Sequence, residues 1–458
     1  MAEAGRKKLF GTDGIRGIAG EFPLDSATVE SIGRALASHL RRDSGGAPRL
    51  VIGRDTRQSG PCIEQALARG AASAGAQVES AGVITTPGVA FISRALEYDA
   101  GVVISASHNP FQDNGIKVFS PSGSKLGDET ERGIEAEVLS PDPRPASRTE
   151  SPAPLEFPNR ESEFRERYIS YLVDDIGRGL DLSGIRLAVD CANGAASSIA
   201  PGVFGRLGAT LDVLFASPDG TNINEGCGSL HLALLQQYVV ANSMDLGIAF
   251  DGDADRALFV DASGNIVDGD ATLLFLADHL KSRGLLAGDI VVATVMSNVG
   301  LEIALRERGL ELVRANVGDR YVLEQLLEKG AKLGGEQSGH IIFPDISLAG
   351  DGIITALELL RSVRETGLSF SELSGRMRKY PQVLLNVRVR SKPELESLPE
   401  VKAEMERVAG ELQGRGRLLV RYSGTENLAR VMIEGEEQAE IEEQANRIAA
   451  VIERAIGN

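Results

Sequence analysis

No apolar run in the chain approaches the roughly 18 residues that cross a bilayer, so no membrane segment is expected. The opening, MAEAGRKKLFGTDGIRG, has basic residues but no apolar h-region, and no secretory signal is expected from it. Cysteine is scarce. Cys62, Cys191 and Cys227 are odd in number and widely spaced, which argues against a disulfide framework and for a reducing cytoplasm. Positive charge is in deficit, with 48 Lys+Arg against 65 Asp+Glu and a formal net charge of −17. No long basic run offsets this balance, so a protein that coats nucleic acid is not expected. The net field does not help an anionic substrate either. A phosphate site has to be built from local Arg, Lys and backbone N–H groups.

What is present is the profile of a soluble globular protein: 42% hydrophobic and 25% charged residues, which rules out a mainly disordered chain. A length of 458 residues, at about 150 per domain, predicts about three domains. Three segments share one grammar of an apolar β-branched run, a polar loop and a helical pattern. They are Leu50-Val51-Ile52 before GRDTRQSG, Leu187-Ala188-Val189 before DCANGAA, and Ile290-Val291-Val292 before ATVMSN. Strand, loop and helix in that order form the βα unit of a parallel sheet, and the repetition predicts three related α/β domains. The stretch from Leu139 to Pro158 is rich in Pro, Ser and charge and reads as a linker. Further boundaries are expected near the turn Ala262-Ser263-Gly264-Asn265 and near Lys379-Tyr380-Pro381. The tail reads strand, helix, strand pair, helix, an α+β pattern. The expected division is 1–160, 161–262 and 263–378 as α/β domains and 379–458 as a smaller α+β domain.

The sharpest motif is Phe250-Asp251-Gly252-Asp253-Ala254-Asp255-Arg256, which follows the apolar run LGIAF. Asp and Gly are poor strand formers, so the carboxylates are expected on a loop at a strand exit. Three Asp at i, i+2 and i+4 can converge their oxygens on one hard cation, Mg²⁺ or Ca²⁺. An EF-hand does not fit, because its sixth and twelfth positions would be Arg256 and Ala262. A solvated acidic turn is the competing reading, but three carboxylates this close repel one another. The second motif runs Gly101-Val102-Val103-Ile104-Ser105-Ala106-Ser107-His108-Asn109-Pro110 and continues to Lys117. Ser107 is a candidate nucleophile and Lys117 a candidate base. The Gly-x-Ser-x-Gly elbow of a serine hydrolase is absent. As sequence neighbours, Ser107 and His108 are expected to point apart, and a turn capped by Ser and Asn is the alternative.

In the third motif Arg421 and Arg430 flank Ser423-Gly424-Thr425 after the apolar run RLLV. Loop N–H groups, hydroxyls and guanidinium forks make a phosphate cradle; a hairpin turn with surface Arg is the alternative. In Gly334-Gly335-Glu336-Gln337-Ser338-Gly339-His340, polar groups between glycines suit a polyol, or an ordinary loop. Thr12-Asp13-Gly14-Ile15-Arg16-Gly17 and Gly53-Arg54-Asp55-Thr56-Arg57 carry further cations, and Arg54 and Arg57 also suit structural ion pairs.

SASHNP, DGDADR, GEQSGH and RYSGTENLAR, in that order, resemble the α-D-phosphohexomutase superfamily over nearly the whole chain. KLFGTDGIRG, Pro218–Asn224 with Cys227-Gly228-Ser229, and Gln337 resemble its branch acting on glucosamine phosphates. Two places depart from the usual pattern: SGTEN stands for SGTEP and CGSLH for CGSTH. Asn427 lacks the fixed φ of proline, which could alter that loop. The resemblance implies an α/β protein of four domains around a central cleft, three related mixed-sheet domains followed by a smaller C-terminal one. It implies that Ser107 carries a phosphate and relays it between O6 and O1 of a hexosamine, through a glucosamine 1,6-bisphosphate (or glucose 1,6-bisphosphate as activator). Mg²⁺ would be held by Ser107, Asp251, Asp253 and Asp255. Lys117, if its neighbours depress its pKa, would accept the proton. Arg256 and Arg16 would neutralise charge, and His108 would position or protonate. Glu336, Ser338, Gly318 and His340 would contact the sugar, and Arg421, Ser423, Gly424, Thr425 and Arg430 the phosphate that is not reacting. Glucose or mannose phosphates are the alternative substrates, on a cytoplasmic monomer or homodimer with no nucleic-acid or membrane partner. An aspartyl-phosphate phosphatase using Asp251 and a non-enzymatic sugar-phosphate sensor are the readings from other classes.

Overall fold

The computed structural model describes residues 9–11, 13–44, 46–140, 154–412, 414–423 and 427–457. Most of the expected linker, residues 141–153, lies outside them. The chain forms two compact units. The first runs to Met296 and resumes over Leu312–Gly375; the second comprises Ser297–Glu311 and the chain from Arg376 onward.

The first unit holds three mixed sheets. Strands β1 (Phe10–Gly11), β2 (Gly14–Ile18), β3 (Arg49–Arg54), β4 (Gln77–Val83), β5 (Ala100–Ile104) and β6 (Asp113–Phe119) make the first, in the order β1-β2-β6-β5-β3-β4. β3 runs parallel to β4 and β5, and β6 is antiparallel to β5. Every residue of β5 is buried, which is why its sequence is a continuous apolar run instead of an alternating one. The helices Ser26–Ser44 and Gly60–Ser73 cover the sheet backbone to backbone. A Cβ at Gly33 would stand 2.1 Å from the Leu67 carbonyl oxygen and one at Gly70 1.9 Å from that of Glu30, so only glycine permits the crossing.

The second sheet contains β7 (Arg186–Asp190), β8 (Thr210–Leu214), β9 (Leu246–Phe250), β10 (Ala257–Asp261) and β11 (Ile266–Val267), in the order β11-β10-β9-β7-β8. The turn 262–265 does not end this sheet but joins β10 to β11 within it. Asp261 is the reason: its Oδ1 accepts from the N–H groups of Ser263 (2.9 Å) and Asn265 (2.9 Å), tightening a hairpin. The third sheet contains β12 (Ile290–Thr294), β13 (Glu311–Ala315), β14 (Gly334–Gly335) and β15 (Ile341–Ile342), in the order β13-β12-β14-β15.

The second unit has an antiparallel sheet of β16 (Gln382–Arg388), β17 (Arg417–Tyr422) and β18 (Leu428–Glu434), in the order β16-β18-β17. Helices Pro399–Leu412 and Gln438–Ile456 bury Val401, Val408, Ile441, Ile448 and Ile452 against it. Asn298 ties the segment Ser297–Glu311 to this unit, donating to the Tyr380 carbonyl (3.0 Å) and to Glu434 (3.1 Å). Among the described residues no helix is long and apolar enough to cross a membrane.

Candidate active site

β5 ends at Ile104 and β6 begins at Asp113, so Ser107 stands on the loop between two buried strands. Its backbone is left-handed, at φ 53°, a conformation uncommon for any residue with a Cβ. The surroundings hold it there. Ser107 N–H donates to Ser105 Oγ (2.9 Å), and the Ser107 carbonyl accepts from Arg57 Nη2 (3.1 Å) and Asn224 Nδ2 (2.9 Å). The same two side chains hold the Asn109 carbonyl, at 2.6 and 3.0 Å. Gly252 completes the seat, since a Cβ there would come within 2.6 Å of the Ser107 carbonyl oxygen. The neighbours Ser107 and His108, expected to diverge, in fact converge, with Ser107 Oγ 3.3 Å from His108 Nδ1. The left-handed turn is the physical reason, because it rotates the serine back over the following residue.

The tight connection between β9 and β10 carries Asp251, Asp253 and Asp255, all buried, with ligand oxygens within 4.8 Å of one another. Ser107 Oγ donates to Asp251 Oδ2 in a very short contact. Asp253 Oδ2 accepts from Thr86 Oγ1 (2.6 Å) and Lys117 Nζ (3.1 Å), and Asp255 Oδ2 accepts from Lys117 (3.3 Å). Asp253 Oδ1 and Asp255 Oδ1 are buried without a hydrogen-bond partner. Burial and the charges of Asp255 and Asp253 push the Asp251 pKa well up. Three buried carboxylates with two oxygens that accept no hydrogen bond, beside a serine hydroxyl, fit a hard divalent cation such as Mg²⁺.

Lys117 departs from expectation. Burial works against its charge, but Asp13, Asp253 and Asp255 outweigh burial and raise its pKa well above that of an ordinary lysine. It is an ammonium among carboxylates, so the depressed pKa expected of a base is not found here. Arg16 Nη1 donates to the Ala106 carbonyl (2.8 Å) and Nη2 to Asp13 (2.5 Å), which sets a cation against the serine loop. Arg256 Nη1 lies 3.1 Å from His108 Nδ1, and Arg256 N–H donates to Asp251 Oδ1 (3.2 Å). Burial, with Arg256 and Arg16 nearby, lowers the His108 pKa to about 4.

A cleft of about 680 Å³ opens on these groups; Asp13, Arg16, His108, Arg256, Gly318, Glu336 and His340 line it. The loop after β14 is held by its own carboxylate: Glu336 Oε1 accepts from Gly318 N–H (3.0 Å) and Oε2 from Ser338 Oγ (3.2 Å). His340 is buried, with Nδ1 3.7 Å from Asp255. Gly318, Glu336, Ser338 and His340 therefore come together, and Gly318, Glu336 and His340 line the cleft that also reaches Asp255 of the aspartate loop.

In the second unit, Arg421 and Arg430 are direct partners across β17 and β18. Like charges in that position are unfavourable unless an anion joins them. Arg430 Nη2 reaches Ser423 Oγ (3.5 Å), and Lys392 Nζ donates to the Ser423 carbonyl (2.7 Å). Gly424 and Thr425 lie outside the described residues.

Sequence reasoning gave Arg57 only a structural role and passed over Thr86 and Lys392. Asn224 was in view only as part of the Pro218–Asn224 signature. Arg57 does make the ion pair suggested for it, with Asp55, and also grips the serine loop.

Comparison with known proteins matches four stretches of the chain. The phosphoglucomutase/phosphomannomutase alpha/beta/alpha domains I, II and III match residues 7–144, 166–264 and 268–380, and the C-terminal domain of the same family matches 384–451. A phosphoglucosamine mutase of Solibacter usitatus is 50% identical over 451 residues, covering 98% of this chain and 99% of that protein. One of Koribacter versatilis is 50% identical over 457 residues, covering 98% of each. Among solved structures, a phosphoglucomutase/phosphomannomutase family protein of Burkholderia thailandensis superposes with a TM-score of 0.79 at 26% identity, over 98% of this chain and 97% of that one.

Proposed function

The chain belongs to the phosphoglucomutase/phosphomannomutase family, and we propose that within it the chain is a phosphoglucosamine mutase, interconverting glucosamine 6-phosphate and glucosamine 1-phosphate. The observation that carries this reading is the buried Ser107 hydroxyl donating to Asp251 inside a triad of carboxylates. Relatives named phosphoglucosamine mutase at about half identity favour the amino sugar over glucose or mannose.

In this reading Ser107 is phosphorylated at rest. The bond from Ser107 Oγ to phosphorus breaks as the C1 oxygen of glucosamine 6-phosphate bonds to phosphorus, and the proton of the C1 hydroxyl ends on the departing Ser107 Oγ; the return transfer reverses this, moving the serine proton to O6. The resulting 1,6-bisphosphate turns over in the cleft. Its 6-phosphate then returns to Ser107 Oγ, leaving glucosamine 1-phosphate. Asp251, Asp253, Asp255 and the phosphorylated Ser107 would hold Mg²⁺, which supplies Lewis-acid stabilisation of the transferring group. Arg16, Arg256 and the Lys117 ammonium offset charge around the serine loop. His108 lies within reach of the serine oxygen to exchange a proton or orient it. Glu336 and Ser338 serve sugar hydroxyls in both orientations, because O3 and O4 exchange places when the sugar flips; Gly318 and His340 flank them. Arg421, Ser423 and Arg430, with Gly424 and Thr425, grip the remote phosphate and orient the reacting end. Cys62, Cys191 and Cys227 are free, which fits a cytoplasmic setting.

Turnover of the 6-phosphates of glucosamine, glucose and mannose tests the assignment: kcat/KM is expected to be highest for glucosamine, and a clear preference for a neutral sugar overturns it. Intact mass with site mapping is expected to place one phosphate on Ser107, and Ser107→Ala to abolish both phosphate and turnover. A stable phosphate on Asp251 would defeat the mechanism.

A further inference from the structure

Two cavities meet at the buried carboxylates. One is the cleft; the other, of about 250 Å³, is lined by Phe119, Leu126, Leu323, Leu327 and Leu348 and reaches Lys117, Lys125, Asp255, Asp319 and His340. Between them stands a closed cycle of alternating charge. Lys117 Nζ lies 3.3 Å from Asp255 and 3.5 Å from Asp13. Asp13 contacts Lys125 at very short range, and Lys125 Nζ lies 2.7 Å from Asp319. Asp319 stands 3.9 Å from His340 Nε2, and His340 Nδ1 closes the cycle on Asp255 at 3.7 Å. Asp13, Asp255, Asp319 and His340 also line the cleft, so the cycle is the wall between the two spaces.

The proposed mechanism uses Lys117, Asp255 and His340. It gives Lys125 nothing to do. Yet Lys125 is the sole contact in the cycle joining Asp13, from the turn between β1 and β2, to Asp319, the first residue of helix Asp319–Lys329. Burial opposes its charge, but Asp319 and Asp13 outweigh burial and keep it an ammonium. Each aspartate connects onward to the site. Asp13 holds Arg16, which holds the serine loop. Asp319 follows Gly318, whose N–H holds Glu336.

We propose that Lys125 is a positioning residue for the phosphoryl exchange: by bridging Asp13 and Asp319 it fixes the Arg16 side of the cleft against the Gly318–Glu336 side. Without its charge the two carboxylates are left facing each other across the wall, the sugar loop shifts relative to the serine loop, and the apolar cavity gains a passage to the cleft. The proposal rests on the mutase reading.

The test uses the full-length enzyme with Mg²⁺ and glucosamine 6-phosphate. Lys125→Met keeps the stem in the apolar cavity and removes the charge. It is expected to lower kcat by about tenfold or more, and to release 1,6-bisphosphate into solution more often per turnover, while Ser107 remains phosphorylated. Lys125→Arg restores the bridge and is expected to stay within about threefold of wild type on both readouts. Should Lys125→Met fail to fold, Lys125→Gln carries the same expectation. Wild-type kcat and bisphosphate release in the uncharged variant, or an Arg variant as impaired as the uncharged one, overturns the proposal. A wild-type enzyme that turns over no hexose phosphate overturns the mutase reading itself, and is seen before any variant is measured.

Discussion

Arg57→Met would remove the guanidinium that ties the serine loop down. Arg57 is buried, makes a very close ion pair with the equally buried Asp55, and donates to the carbonyls of Ser107 and Asn109. Removing one partner of such a pair strands the other charge, at about 3–5 kcal/mol. Burial already pushes the Asp55 pKa up, so protonation of Asp55 limits the loss to the lower part of that range. The two carbonyls add little, because Asn224 still donates to both. With about 3–4 kcal/mol lost, at about 2–4 °C per kcal/mol for a domain of this size, the transition containing the first sheet should fall by about 6–16 °C. Scanning calorimetry measures this, with turnover followed well below the transition. Turnover should fall further than stability does, since the Ser107 carbonyl loses one of its two anchors. The double variant Asp55→Asn/Arg57→Met, which removes both charges, should recover part of the lost stability. A drop below about 2 °C in Arg57→Met, or a double variant less stable than the single one, would refute the reasoning.

Gly252→Ala places a Cβ 2.6 Å from the Ser107 carbonyl oxygen, so turnover should fall sharply with about 1–3 kcal/mol of stability lost; unchanged turnover would show that the seat yields to a methyl group. Arg421→Ala should raise KM for the phosphosugar while the Mg²⁺ dissociation constant stays put, and equal loss of both would point to misfolding instead. Burial raises the Asp190 pKa from 3.8 to about 6, against the opposing N–H groups of Gly228 and Ala192. The folded state therefore holds that proton more tightly, and the associated stability is present at low pH and lost as pH rises toward and through 6. From pH 5 to pH 7.5 the loss should be about 1.4 kcal/mol, and Asp190→Asn should flatten that part of the urea-midpoint profile. Parallel profiles for the two proteins would contradict it.

The strand-exit loops were legible in the sequence because buried strands write themselves as unbroken apolar runs, and polar residues at their ends have nowhere to go but a loop. LGIAF before Asp251 and GVVI before Ser107 are of this kind, and both loops fall where the runs stop. The tail's strand–helix–strand–strand–helix order was equally plain from its periodicity. Contacts between distant parts of the chain were not legible. Arg57 and Asn224 converge on one carbonyl from 50 and 117 residues away, and no local spacing announces that. The approach of His108 to Ser107 depends on a left-handed φ that no glycine advertises. The carboxylates around Lys117 set its protonation, and they come from Asp13 on one side and the β9–β10 connection on the other. The turn after Asp261 leads into β11, which still pairs with β10, because turn residues mark hairpins and boundaries alike.

Ser107 is borne by a loop of the first sheet, yet Asn224 and Gly252, which seat its carbonyl, belong to the chain that builds the second. A fragment ending before residue 161 would keep a sheet and an apolar interior of its own while its serine was free to relax. Chimeras spliced between these two domains would inherit competence only when donor and acceptor agree at that seat. The seat of Ser107 is in this sense joint property, and the smallest piece able to present it includes both sheets.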